Sequence, residues 1–176
     1  ALHAQARAAI DQGLRGGVPA AAVLAHPHPA FNAVRASFVT LEMGAQLRGC
    51  IGTLQAYRAL AVDVTHNAWA AAFRDPRFAP LTVAEFARVS LHIAVLTPPE
   101  PLPVRDEAEL LRSLRRGIDG LILDDGPHRA TFLPAVWESL PGRAEFLAQL
   151  KRKAGLPADY WSPTLRFQRY ETEVIE

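Results

Sequence analysis

The chain has almost no cysteine. Cys50 is the one thiol among 176 residues, so no intramolecular disulfide can form and a crosslinked secreted framework is excluded. A reducing compartment is the natural setting. A surplus of positive charge is also missing: Lys and Arg total 19 against 18 Asp and Glu, for a formal net charge of +1. That weighs against a dedicated nucleic-acid binder. No apolar run approaches the roughly 20 residues needed to span a bilayer. Residues 1–17 carry His3, Arg7 and Asp11 among alanines and lack the basic-then-apolar order of a signal peptide. The expectation is a cytoplasmic protein with no membrane and no nucleic-acid partner. CxxC, HExxH, P-loop and GxGxxG patterns are absent too, so no metal and no nucleotide cofactor is expected.

What is present reads as a globular domain. Hydrophobic residues make up 49% and charged residues 21%, ordinary values for a folded chain. At this length about 70% of the unfolded chain's surface can be buried, so no crosslink is needed for stability. Leu2, Ala6, Ala9, Ile10 and Leu14 recur at helical spacing and predict a helix over 2–14, stopped at Gly16-Gly17. Val18 to Pro29 reads as a surface connection. Ser37 to Glu42 alternates, Met43-Gly44-Ala45 can turn the chain, and Gln46 to Thr53 can return as the second strand of a hairpin. Leu60 to Arg74 is again helical and ends at Asp75-Pro76, because the residue before proline avoids the α region.

Further on, Thr82 with Glu85 forms a capping box, and Leu91, Ile93 and Val95 alternate as a strand. Pro98, Pro99, Pro101 and Pro103 predict a stiff connection without strand. A helix capped by Asp106 is expected to reach Arg116. A hairpin is expected to turn at Asp124-Asp125-Gly126, and a helix to run over 143–154, with a last strand near Leu165 and Phe167. Strands joined by short turns and mixed with helices indicate an α+β fold, a mainly antiparallel sheet packed with helices. The Pro-rich 97–103 segment would separate off a smaller second lobe within one domain, residues 1–176.

The chemistry centres on Leu47-Arg48-Gly49-Cys50-Ile51-Gly52. Glycine inside a strand marks a bulge or a place where something approaches the backbone closely, which singles out Gly49 and Gly52. At strand periodicity Arg48 and Cys50 share a face, and a guanidinium beside a thiol favours the nucleophilic thiolate. Against this stands the frequency with which a free cysteine is simply a buried packing residue. Asp75 and Arg77 flank Pro76 in a rigid turn, either as an anion-binding pair or as a helix-ending ion pair. Protons at Cys50 would be managed by Asp75 or by a histidine such as His66 or His92, neither of which lies in a known cysteine-hydrolase motif. His26-Pro27-His28 is a poor metal site without further ligands. Arg112, Arg115 and Arg116, with Lys151, Arg152 and Lys153, read as solvated helix faces, since no aromatics interleave them.

The same hexapeptide resembles the signature of the AMMECR family, and the resemblance runs along nearly the whole chain. Phe38-Val39-Thr40-Leu41 precedes the signature. Asn67-Ala68, Asp75-Pro76-Arg77-Phe78, Pro80-Leu81, Glu85 and Gly120-Leu121-Ile122-Leu123 follow it in order. Thr131-Phe132-Leu133-Pro134 with Trp137, Glu145-Phe146-Leu147 and Lys153-Ala154-Gly155-Leu156 complete it. A prokaryotic member would be similar to protein A of AmmeMemoRadiSam systems. The resemblance implies an α+β fold and two partners, a Memo-type protein and a radical-SAM protein, but no settled activity. It implies a site made of Arg48, Cys50, Asn67, Asp75 and Arg77 with Gly49 and Gly52, and no role for His66, His92 or His128. Three readings follow: an accessory module binding a partner or a small-molecule ligand, an enzyme with Cys50 as nucleophile, and a structural scaffold.

Overall fold

The computed structural model describes residues 1–19 and 26–175, so half of the 18–29 connection, residues 20–25, lies outside the described residues. The chain divides into two compact units. The first comprises residues 1–96 and 173–176, the second residues 97–172.

In the first unit, α1 (Leu2–Leu14) buries Leu2, Ala6, Ala9 and Ile10 along one stripe, as the spacing predicts. The hairpin is β1 (Ser37–Met43) and β2 (Gln46–Gly52), turning at Gly44-Ala45. Next come α2 (Leu60–Phe73), the short α3 (Val83–Phe86) and β3 (Ser90–Leu96). The capping box of α3 is formed: the Glu85 N–H donates to Thr82 Oγ1, and the Thr82 N–H donates to Glu85 Oε2 at 2.9 Å. The sheet has the order β2-β1-β3-β8, where β8 is Thr172–Ile175. Its inner face is lined by Val39, Leu41, Leu91, Ile93 and Val95, which pack with Ile10, Val64 and Ala68 of the helices into one core. Phe38, Thr40 and Glu42 alternate onto the other face.

The second unit holds β4 (Glu100–Pro101), α4 (Glu107–Ser113), β5 (Gly120–Asp125), β6 (His128–Phe132), α5 (Arg143–Lys153) and β7 (Arg166–Tyr170). Its antiparallel sheet has the order β4-β7-β5-β6. Leu121, Leu123 and Phe167 of the sheet close over Leu110, Phe146, Leu147 and Leu150 of the helices, with the Trp137 and Phe146 rings stacked 3.8 Å apart. The β5–β6 turn falls at Gly126-Pro127, two residues beyond its expected start, because Gly126 adopts φ +64.

The α+β class and the antiparallel pairing agree with the sequence reading. Three elements do not. The Pro-rich stretch contains a strand, β4, whose Glu100 and Pro101 pair with Arg169 and Gln168. Proline is tolerated there because β4 is a two-residue edge strand. α4 ends at Ser113 rather than Arg116, and 115–119 is a turn held by Asp119. β8 has no counterpart in the sequence reading, and there are two sheets rather than one.

Candidate functional site

The β1–β2 register pairs Leu41 with Gly49 but Glu42 with Leu47. Arg48 is therefore the extra residue of a β-bulge, and a bulge re-aims its side chain. The expected alternation fails here: Leu47 opposite Glu42 and Cys50 opposite Thr40 are in phase, and Arg48 is not. The guanidinium instead grips Glu85, with Nε donating to Oε1 at 2.8 Å and Nη2 to Oε2 at 3.0 Å. Nη2 also donates to the Ala79 carbonyl at 3.0 Å, while Nη1 is buried without a partner. The Arg48 guanidinium, with the Thr82 groups behind it, holds the Glu85 carboxyl down to about 2. Cys50 is half-buried, and the hydrogen bond its Sγ receives comes from Thr40 Oγ1 at 3.3 Å.

Both signature glycines sit at close approaches. A Cβ on Gly49 would lie 2.2 Å from the Ala71 carbonyl oxygen of α2. One on Gly52 would lie 2.2 Å from the Phe38 ring. Gly49 thus lets a helix backbone rest on the strand, and Gly52 lets an aromatic ring lie across its cross-strand partner.

β2 is an edge strand, and an edge leaves backbone groups unpaired. At Cys50 both are taken by the turn after α2. The Cys50 N–H donates to Asp75 Oδ2 at 2.9 Å, and Arg77 Nη2 donates to the Cys50 carbonyl at 3.4 Å. Asp75 and Arg77 also pair in a fork, Nε to Oδ1 at 2.9 Å and Nη2 to Oδ2 at 2.7 Å. Together they supply the acceptor and donor that a neighbouring strand would supply. The Arg77 guanidinium holds the buried Asp75 carboxyl well below the usual carboxylate range; burial opposes this and the backbone hydrogen bonds reinforce it. The guanidinium carbons of Arg48 and Arg77 lie 5.7 Å and 5.5 Å from the centre of the Phe78 ring.

Asn67 belongs to a separate buried cluster centred on Asp63. Asp63 Oδ2 accepts from the Ser37 N–H, Ser37 Oγ and Asn67 Nδ2, and Oδ1 accepts from Thr53 Oγ1 and Arg58 Nε, all within 2.9 Å. The expected single site of Arg48, Cys50, Asn67, Asp75 and Arg77 thus resolves into a motif surface and a polar core cluster. Thr53 immediately follows the signature and joins the second. His92 lies opposite Thr40 in the register, on the same face as Cys50 and one strand further on, with Nε2 3.4 Å from Glu42. His66 has its pKa lowered by burial and by the Arg58 charge, partly offset by Asp63. Among the described residues no three His, Cys, Asp or Glu side chains group as a metal ion would require.

Sequence reasoning had Glu85 as a cap and as one residue of the family pattern, not as the partner of Arg48, and missed Asp63, Arg58 and the second role of Thr40. Asp63 carried one signal, since it stands four residues before Asn67 on a helix. Nothing local tied Glu85 to Arg48, because the two are 37 residues apart.

The AMMECR1 family model matches residues 3–175. A protein of Methanothermobacter thermautotrophicus is 37% identical over 97% of this chain and 89% of its own length. One of Methanocaldococcus jannaschii is 35% identical over 97% and 86%. The crystal structure of an uncharacterized protein from Pyrococcus horikoshii superimposes with a TM-score of 0.84 at 31% identity, covering 98% of this chain and 88% of that one. On this match, which spans both units, the chain belongs to the AMMECR1 family.

Proposed function

We propose that the surface around 47–52 is the binding face of an accessory module that acts with a Memo-type protein and a radical-SAM protein, and that it takes a partner segment or a small-molecule ligand. One observation carries this reading. The charged groups of the motif are already paired within the chain, Arg48 with Glu85 and Asp75 with Arg77, and among the described residues no histidine or carboxylate hydrogen-bonds to Cys50 Sγ. Such an arrangement is rigid and pre-formed, which suits recognition more than proton transfer. Arg77, with its side chain 54% exposed, and Leu47, 41% exposed, are its accessible members. Residues 1–176 act in this reading as one domain, in the cytoplasm, with no nucleic acid and no cofactor of their own.

The test is sedimentation of the purified chain with the Memo-type and radical-SAM proteins from the same genome. The expected result is a complex that Arg77→Glu and Leu47→Asp weaken. Absence of any complex, with and without the partners' substrates, overturns the reading.

A second reading has its own support. Cys50, Thr40 and His92 lie in one row across three strands, and the thiol is not fully buried. A nucleophilic Cys50 with protons passed through Thr40 fits that row. Alkylation by a small haloacetamide separates the two readings. A rate that levels off near neutral pH supports a thiolate nucleophile, whereas a thiol inert until unfolding removes it.

A further inference from the structure

The second unit contains a cleft of about 510 Å³ lined by Arg116, Gly117, Pro134, Trp137, Glu138 and Thr172. Small-molecule sites commonly span roughly 300–1,000 Å³. The walls of this one are tied together from behind. Asp119 is fully buried, and its carboxylate accepts from the Arg115 N–H at 2.8 Å and from Arg115 Nε at 3.0 Å. That fixes the turn presenting Arg116 and Gly117, the latter at φ +75. The carbonyl of the same Asp119 accepts from Trp137 Nε1 at 2.7 Å, which anchors the short 3-10 helix Pro134–Glu138. Arg115 Nη2 donates to Glu171 at 2.8 Å and so sets the position of Thr172 beside it. Three segments of the lining are thus held through the buried Asp119 and its partner Arg115, so the cleft is pre-formed.

The charges on its rim are unspent. Arg116 and Glu138 are both exposed. Among the described residues neither makes an ion pair, with the other or with any third group, whereas the adjacent Arg115 makes two. An anion seated on Arg116 alone would meet the Glu138 charge, and a cation on Glu138 would meet Arg116. A ligand carrying both charges meets neither penalty. We infer that this cleft binds a small zwitterion of amino-acid type. Its carboxylate forks onto Arg116, its ammonium lies on Glu138, Thr172 offers a hydroxyl, and its apolar part rests on Pro134 and Trp137.

The site is separate from the 47–52 motif, and the two stand or fall independently. The test uses the full chain, labelled with nitrogen-15, titrated with each free L-amino acid in turn. Saturable shifts are expected at the Gly117 amide and the Trp137 indole for at least one of them. The N-acetyl and the amide derivative of that amino acid, each lacking one charge, should bind roughly tenfold more weakly, as should Arg116→Ala and Glu138→Gln. Both side chains are exposed, so neither substitution threatens the fold, and Cys50→Ser should leave binding unchanged. No saturable shift with any amino acid up to about 10 mM overturns the inference. So does equal binding of the derivatives, or binding indifferent to both substitutions.

Discussion

At the scale of the residue, Gly49 and Glu85 carry the clearest expectations. Gly49→Ala drives a methyl group, fixed in place by the strand backbone, into the Ala71 backbone carbonyl, so neither can swing aside. A loss of about 3 kcal/mol is expected, read as a lower urea midpoint with an unchanged slope. Glu85 gives a pH dependence. Its folded pKa of about 2 lies below the ordinary 4.5, first because of Arg48. Between those values the unfolded chain binds the extra proton. The Arg48–Glu85 contribution is therefore fully present above pH 4.5 and is lost as the pH falls through 4.5 toward about 2. Asp75, also held down, acts in the same direction. Urea midpoints measured through that range should fall steeply for the parent chain and less steeply for Glu85→Gln. Equal slopes would mean that the ion pair contributes nothing in solution.

At the scale of the element, the free edge of β2 is the feature to test. Asp75→Ala removes the acceptor for the Cys50 N–H and the partner of Arg77 at one stroke, at a cost of about 2–3 kcal/mol. Hydrogen exchange at the Cys50 amide should accelerate at least tenfold relative to its β1-bonded neighbour at Ile51, roughly the effect of local opening. Uniform acceleration of the whole hairpin would argue instead for global loss of stability. This edge also marks where reading the sequence stopped working. The hairpin, α1, α2, the α3 cap and α5 were legible because apolar period and local turn chemistry state them directly. The bulge at Arg48 was not, because nothing in Leu47-Arg48-Gly49 announces an extra residue; only the partner strand's register does. β4 was hidden by its own proline, and β8 by its shortness. The site was half legible: Cys50, Asp75 and Arg77 do meet, while Asn67 turns into the Asp63 cluster, a choice made by helix packing rather than by spacing.

At the scale of the whole molecule, the first unit is completed only by chain that follows the second. β8 closes the edge beyond β3, and His3 Nε2 lies 2.8 Å from the Ile175 carbonyl. Arg35 reaches Glu173 at 3.2 Å. Ending the chain at Glu171 should therefore open β3 amides to exchange while leaving β5 and β7 protected, a pattern read site by site in hydrogen exchange. Loss of protection throughout would show that neither unit stands without the other. The segment between β3 and β8 has a further consequence. Its two ends are already joined, since the Thr97 N–H donates to the Glu171 carbonyl at 2.9 Å. On a ribosome, residues 97–172 emerge as one continuous stretch with its own sheet and core, and where that unit stands alone it folds as soon as it is clear. Doing so draws the two halves of the first sheet to adjacent positions. The entropy of closing a long loop between β3 and β8 is then met by the folding of the inserted segment itself, and β8 has only a short distance to search.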